Sequence, residues 1–528
     1  MGGDFFEVDA PGGLTSGPGL GGFGLSLDDA AGFCRGGAAG RGGAGRGGAA
    51  RRGGAGRGEA GRRTVASVTL DSRLAGPGSL FVALKGESRD GHEFVPMALG
   101  RGALAAVVSR DHRAGDAGED RLIRVDDTLK ALGRLAAAVR VKSGALVAAV
   151  TGSVGKTTVK EFLRHIFASY LSPEEFHFTK GNFNNHVGLP LTLLSLTPKT
   201  RVAVVEMGAG GFGEVAELTA MARPDVGLVT GAAEAHLEFF GSVEGVARAK
   251  GELYRGLPEG SVAVVNARDG LMVAQSENFF GNKLFFGFGP AVEKGPDPAG
   301  GPGRDAGKPR VLVEGVVDGG LAGQTVVLSG PGLDGTISAR LSLPGRHNAL
   351  NAAAAAAAAL AAGAGWPEIR AGLEAARSFP GRLRVREAPG GLRVVDDCYN
   401  ANPGSMAAAL EFLGTLAGAS PVGAILGDML ALGEFSEERH LGLGRLAAKA
   451  GLSFLALVGA MAPAVARGVG SVGESGGGSV PEGMTRIFES PVEAARWARS
   501  AAPPGAVVLV KASRDMGLEA AVMELVGN

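Results

Sequence analysis

The period of apolar and polar positions changes repeatedly along the chain, and the changes mark its elements. Residues 65–70 alternate, which predicts a strand. The turn residues Asp71-Ser72-Arg73 follow, and then a strand through Leu84. A helix at 94–100, strands at 104–108 and 122–125, and an amphipathic helix at 128–141 continue the pattern. The short apolar run 145–150 reads as a buried strand. A glycine-bounded turn separates it from Val159, Phe162, Leu163, Ile166 and Phe167, which have helical spacing. Strands are expected next at 202–205 and 226–230, a helix from Val243, a strand-rich stretch over 259–345, and a long alanine helix opened by Gly345. The last block holds strands at 392–395, 421–426, 454–458 and 506–511, separated by helices. Strands alternating with helices predict an α/β protein built on parallel sheets. At 528 residues the chain suits three domains of about 150 residues or more, divided as 1–143, 144–380 and 381–528.

Composition changes this picture mainly near the N-terminus. The chain has 91 glycines. Residues 1–25 are glycine-rich, and 25–34 fit a short helix. Residues 35–63 are a Gly/Ala/Arg tract carrying Arg41, Arg46, Arg51, Arg52, Arg57, Arg62 and Arg63. Such a tract is either a phosphate- or RNA-binding segment or a solvated insertion. The absence of aromatics that would stack on bases favours the insertion. A second Gly/Pro-rich loop spans 289–308. The 53 basic residues balance the 53 acidic ones, so charge gives no reason to expect a nucleic-acid or membrane partner. Two cysteines, Cys34 and Cys398, do not make a disulfide framework. The run 352–360 is too short and too alanine-rich to span a bilayer, and the N-terminus lacks a secretory pattern. A cytoplasmic monomer is the expectation.

The chemistry starts at Thr151-Gly-Ser-Val-Gly-Lys-Thr-Thr158. A strand, a Gly-rich turn and a Lys-Thr pair opening a helix make a phosphate cradle. Gly152 and Gly155 let backbone N–H groups approach phosphate oxygens, with Ser153 and Val154 between them. The helix start adds further donors. Lys156 has the reach for the β- and γ-phosphates, and the hydroxyls of Thr157 and Thr158 follow, with Thr157 suited to Mg²⁺. The first glycine comes at Gly152, where the usual motif would put one at position 150, so the loop is shorter. A turn that binds nothing is the alternative, and the Lys-Thr at a helix start argues against it. ATP and Mg²⁺ are the expected cofactors.

Other polar residues fall at strand ends. Glu206 ends an apolar strand, where a carboxylate serves metal chemistry. His347, Asn348 and Asn351 share the start of the alanine helix, as a nucleotide site or a simple helix cap would. Asp396-Asp397, Asp428 and Lys511-Ala-Ser-Arg514 follow successive strands of the last block. That block therefore reads as a Rossmann-like sheet without its own phosphate loop.

Taken together, these segments resemble the Mur ligase family over residues 64–528. The marks are T-G-S-x-G-K-T-T, the H-N-x-x-N helix at 347–351 and the later Gly381-Arg382. Further runs resemble the branch that adds D-alanyl-D-alanine: G-N-F-N-N-H-x-G-x-P-L (181–191), V-E-M-G-A (205–209), A-H-L-E-x-F-G-S (235–242), D-D-x-Y-N-A-N-P-x-S-M (396–406), G-D-M-x-x-L-G-E (427–434) and K-A-S-R (511–514). The branch that adds a diamino acid carries D-N-P-R in its last domain, which this chain lacks. Gly231-Ala-Ala-Glu234 departs from the family's usual Asn-Ile-Gly turn.

The resemblance implies an N-terminal uridine-nucleotide-binding domain, a central phosphate-loop ATPase-type domain and a C-terminal Rossmann-like domain. It implies an ATP-dependent ligase joining D-alanyl-D-alanine to UDP-N-acetylmuramoyl-tripeptide through an acyl phosphate. It further implies metal ligation by Thr157, Glu206 and His236, and by Lys250 at the position where relatives carry a carbamylated lysine. Lys156, Glu206, His236 and Lys250 are then the catalytic set. Asn348, Arg382 and Asp397 would meet ATP, while Ser72, Arg73, Asn184, Asn185, Tyr399 and Asn402 would meet the other substrates.

Overall fold

The computed structural model describes residues 21–36, 63–113, 118–292, 309–473 and 480–527. Most of the Gly/Ala/Arg tract and of the loop at 289–308 lies outside these residues, as do residues 1–20. The borders of the tract are tied together. Leu27 N donates to Arg63 O at 2.9 Å, Val65 N donates to Leu25 O at 2.8 Å, and Arg134 Nη1 donates to Cys34 O at 3.2 Å. The described residues that border the tract thus lie together in the fold. The alternation from residue 65 partly reflects this pairing, and the strand itself is only Ser67–Thr69.

Among the described residues there are three sheets. The first has four parallel strands, Ser67–Thr69, Ser79–Val82, Ala105–Ser109 and Leu122–Val125, in chain order. The second has nine strands. Across the sheet they run Ile337–Leu341, Gln324–Ser329, Arg310–Asp318, Asn282–Phe288, Val262–Asn266, Val226–Val229, Leu146–Thr151, Val202–Glu206 and Phe176–Phe178. The pairs from Arg310–Asp318 to Phe176–Phe178 are parallel, whereas Gln324–Ser329 and Ile337–Leu341 join antiparallel. These last two strands turn back because the connections 319–323 and 330–336 are too short to cross over a sheet. The third sheet has six strands, and only Arg384–Ala388 against Leu392–Asp396 is antiparallel. Its edge strand Thr485–Phe488 is half exposed and carries little apolar signal.

The alanine helix Arg346–Ala361 explains its own composition. Ala352 to Ala359 are each at most 1% exposed, because the helix lies between the central sheet and the helix Lys156–Ala168. Only a methyl fits such a close approach. The helices Leu237–Phe240 and Val243–Lys250 belong by sequence to the central block. Yet Leu237, Phe240, Val246 and Ala249 pack in one cluster with Leu383, Met406 and Leu410 of the last block. They carry His236 and Lys250 to the junction of the two sheets. Among the described residues no helix is long and apolar enough to cross a membrane.

Candidate active site

The buried strand Leu146–Thr151 delivers the phosphate loop, and Thr151 Oγ1 anchors its end to Met207 O at 2.7 Å. Gly152 has φ +138°, and a Cβ there would collide with Thr230 Oγ1. Gly155 has φ +88°, and its added Cβ would lie 2.5 Å from Asn351 Oδ1. Neither position tolerates a side chain, so the backbone stays bare on the side a phosphate would approach. Ser153 is tied elsewhere: its Oγ donates to Ala233 O at 3.0 Å and accepts from Ala233 N at 2.9 Å. Its backbone N donates to Gly231 O at 2.9 Å, and Thr230 Oγ1 donates to Val154 O at 2.5 Å. The departing turn at 231–234 therefore clamps the loop, and Glu234 extends it to Arg439 of the last block at 2.8 Å.

Lys156 Nζ donates to Gly152 O at 2.7 Å. Burial lowers its pKa, Arg382 adds to that, and Glu206 opposes it. An ammonium held this way favours an anion beside it. Glu206 is 3% exposed and highly ordered by its partners. Thr157 Oγ1 donates to Oε2 at 3.2 Å, Asn184 Nδ2 donates to Oε1 at 2.9 Å, and the Glu206 N–H donates to Thr179 Oγ1 at 3.0 Å. Lys160 Nζ lies 3.7 Å from Oε2. The sequence reading missed Lys160. Its signal was the four-residue spacing from Lys156, which puts both on one helix face. Asn185 is occupied in its own loop, accepting from Val187 N at 3.1 Å and Gly188 N at 2.9 Å.

His236 has φ +53° and begins the helix Leu237–Phe240. Burial, then the positive charges of Lys250 and Lys156, push its pKa down to about 4, so it is a neutral imidazole at neutral pH. Lys250 is 3% exposed, donates to Ala209 O at 3.4 Å and lies 5.8 Å above the Phe240 ring. Burial and the neighbouring Lys156 lower its pKa to about 7, with Glu214 and Glu252 opposing. Among the described residues there is no group of three or more His, Cys, Asp or Glu that could hold a metal. The residues present still fit Mg²⁺ in company with a nucleotide: Glu206 and Thr157 meet at the loop, and phosphate oxygens complete such a site.

The facing edge comes from the last block. Arg382 Cζ lies 4.4 Å from the Tyr399 ring centroid, and Arg514 Cζ lies 5.2 Å from it. Arg382 Nε is buried with no partner among the described residues, and Arg382 lines a cleft with Thr157, Thr158, Glu161 and Phe379. An orphaned guanidinium N–H beside a phosphate loop suits an anionic ligand. Leu383 holds a left-handed φ of +48°, and its N–H donates to Asp397 Oδ1 at 3.1 Å. Asp397 also pairs with Lys511 at 2.6 Å, so its carboxylate is satisfied within the fold. Asn348 faces its own helix start, donating to Pro344 O at 2.7 Å and accepting from Asn351 at 3.1 Å. Asn402 caps the helix Pro403–Leu416. Ser72 and Arg73 sit at the end of the first sheet with local partners, Met97 Sδ at 3.3 Å and Asp71 at 2.7 Å.

This fold and site define an ATP-using amide ligase of the phosphate-loop kind. Three domain families match: "Mur ligase family, catalytic domain" over 64–140, "Mur ligase middle domain" over 150–359, and "Mur ligase, glutamate ligase domain" over 381–514. The chain belongs to the Mur ligase family. It is 39% identical over 409 residues to the UDP-N-acetylmuramoyl-tripeptide--D-alanyl-D-alanine ligase of Escherichia coli, covering 77% of this chain and 84% of that one. It is 31% identical to the Bacillus subtilis protein of the same name, covering 88% and 93%. Among solved structures, MurF from Acinetobacter baumannii matches with a TM-score of 0.75 at 31% identity, covering 88% of this chain and 94% of that one. MurF ligase from Thermotoga maritima in complex with ADP matches with a TM-score of 0.72 at 27% identity, covering 87% and 97%.

Proposed function

We propose that this chain joins D-alanyl-D-alanine to UDP-N-acetylmuramoyl-tripeptide at the expense of ATP. The observation that carries the reading is the bare phosphate loop with Lys156, facing the buried Glu206–Thr157 pair, in a chain so similar to ligases of that name. In the proposed reaction a carboxylate oxygen of the tripeptide attacks the γ-phosphorus of ATP, and the bond to ADP breaks. The amine of D-alanyl-D-alanine then attacks the acyl carbon, loses a proton, and phosphate leaves. Both partners in the first step are anions, so charge neutralisation is the main demand. Lys156, the loop N–H groups and Arg382 supply it from the protein. Thr157, Glu206 and His236 would hold Mg²⁺, which would supply the rest.

Lys250 belongs in this set as a carbamate. With a pKa of about 7 it offers a free amine near neutrality. That amine can attack CO₂ and lose a proton to become a carboxylate-like ligand. A Lys250→Ala chain with full activity, or a fully active crystal with an unmodified Lys250, would sink this assignment. Ser72 and Arg73 are assigned to the uridine end, and Tyr399, Asn184, Asn185 and Asn402 to the substrates other than ATP. Asn348, Arg382 and Asp397 are assigned to ATP, and the internal bonds described above orient Asn184, Asn185, Asn348, Asp397 and Asn402 in the site. The domain division 1–143, 144–380 and 381–528, a monomeric state and a cytoplasmic location complete the proposal. Closure of the outer domains on the central one would exclude water from the acyl phosphate.

The test is phosphate release from ATP with UDP-N-acetylmuramoyl-tripeptide, with and without D-alanyl-D-alanine. Release that requires both, with a product heavier by the dipeptide, supports the reading. Release instead with the muramoyl-dipeptide and a diamino acid overturns it.

A further inference from the structure

Lys160 has no task in the reaction as set out above. It lies one turn along the helix from Lys156 and is 1% exposed. Helical side chains lean toward the N-terminus, which carries its ammonium back to the phosphate-loop end. Its Nζ lies 3.7 Å from Glu206 Oε2 and 3.7 Å from Glu161 Oε1, and it donates to Gly181 O at 3.4 Å.

A methionine would fill the same space without burying a charge. Burying an ammonium opposes folding unless its partners repay the lost hydration, so a buried ion pair is weak evidence of a stabilising role. Glu161 is already engaged by Arg164 at 2.7 Å. The remaining partners of the Glu206 carboxylate are neutral, the Thr157 hydroxyl and the Asn184 amide. Among the described residues Lys160 is thus the cation within ion-pair distance of Glu206, with Lys156 acting on it from farther away.

We propose that Lys160 is a positioning residue for Glu206. Lys160 and Thr157 hold Oε2 while Asn184 holds Oε1, so the carboxylate meets a divalent cation in one fixed geometry. The contact to Gly181 O ties the 181–187 segment, which carries Asn184, to the same point. This rests on the proposed function only in taking Glu206 as a metal ligand.

The test compares wild type with Lys160→Met in two measurements. One is Mn²⁺ binding to the ADP complex, read from the electron-spin resonance of free Mn²⁺. The other is the Mg²⁺ dependence of phosphate release. Fixing a metal ligand in place is worth about 10- to 100-fold in affinity or activity, so the Mn²⁺ dissociation constant and the Mg²⁺ midpoint are expected to rise by about that factor. A charge that merely competed with the metal would give tighter Mn²⁺ binding when removed. Tighter or unchanged binding in a folded Lys160→Met chain therefore overturns the proposal. Should that variant fail to fold, Lys160→Arg keeps the charge with a longer, broader head. It is expected to raise the Mn²⁺ constant by a smaller factor, and an unchanged constant overturns the proposal there too. A wild-type chain that binds Mn²⁺ and ADP but does not ligate D-alanyl-D-alanine would count against the proposed function alone.

Discussion

The central and C-terminal sheets end two of their parallel strands with opposite chemistry. After Leu146–Thr151 the chain supplies glycines, a bare backbone and Lys156, whose ammonium has a carbonyl, Gly152 O, as its hydrogen-bond acceptor. After Leu392–Asp396 it supplies carboxylates, and Asp397 closes on Lys511 at 2.6 Å while Lys511 also donates to Asn400 O at 3.0 Å. Burial lowers the pKa of both lysines. The difference lies in what compensates. Lys511 has a carboxylate in contact, so the pair is complete without a ligand. Among the described residues Lys156 has a carbonyl as its hydrogen-bond acceptor, and in the proposed reaction an anion from outside completes it. The same topology thus yields a binding end on one sheet and a structural end on the other.

Substitution of the two lysines should separate these roles most sharply. Lys156→Met is expected to lower phosphate release by about 10²- to 10³-fold, as loss of a preorganised donor does, while leaving the unfolding midpoint unchanged or raised. Lys511→Met leaves Asp397 buried and unpaired, and chemical denaturation should show a loss of about 3–5 kcal/mol. If both variants lost stability equally and activity equally, the contrast between the two ends would collapse.

Next in size is Tyr399→Leu, which removes the ring beneath Arg382. A half-buried cation–π contact of about 1 kcal/mol implies a several-fold rise in the KM for ATP, with kcat less affected. An unchanged KM for ATP and an unchanged kcat would place Arg382 away from bound nucleotide.

In CO₂-free buffer, where its amine is unmodified, Lys250 gives a pH dependence. Its pKa is about 7 in the fold and 10.5 ordinarily, so between these values the unfolded chain binds the extra proton. Stability from this group is therefore lowest below about pH 7 and grows as pH rises toward 10.5. Denaturant titrations across that interval should show a shallower rise for Lys250→Met than for wild type.

The smallest effects belong to the periphery. Glu234 and Arg439 join the central loop to the last block but are 26% and 29% exposed, so Glu234→Gln should change stability by about 1 kcal/mol or less. Deleting residues 37–62 should leave ligase activity intact, because Leu27, Val65 and Arg134 already hold the bordering segments together. Loss of activity in that deletion would give the arginine tract a role in the reaction.

Much of this was legible in the chain. The phosphate loop lies in one contiguous run, so strand, turn, lysine and helix could be read from spacing. Most strands were placed within a few residues, because fully buried parallel strands are uninterrupted apolar runs. The exposed edge strand Thr485–Phe488 and the antiparallel turn of the central sheet were less visible, since neither leaves a strong apolar period. Among site residues, Asn185 and Asn402 accept from backbone N–H groups and Asp397 pairs with a buried lysine, partners that sequence cannot reveal.

The sequence by itself determined the α/β class, the phosphate loop and the family, because each is written in local spacing and residue type. Tertiary structure alone decided which polar groups remain unsatisfied. Arg382 Nε is orphaned beside the loop, Lys250 is desolvated between two blocks, and Lys160 stands against Glu206. Burial and partnering depend on segments far apart in the chain. Those two quantities decide whether a charged side chain serves the fold or is left for a ligand.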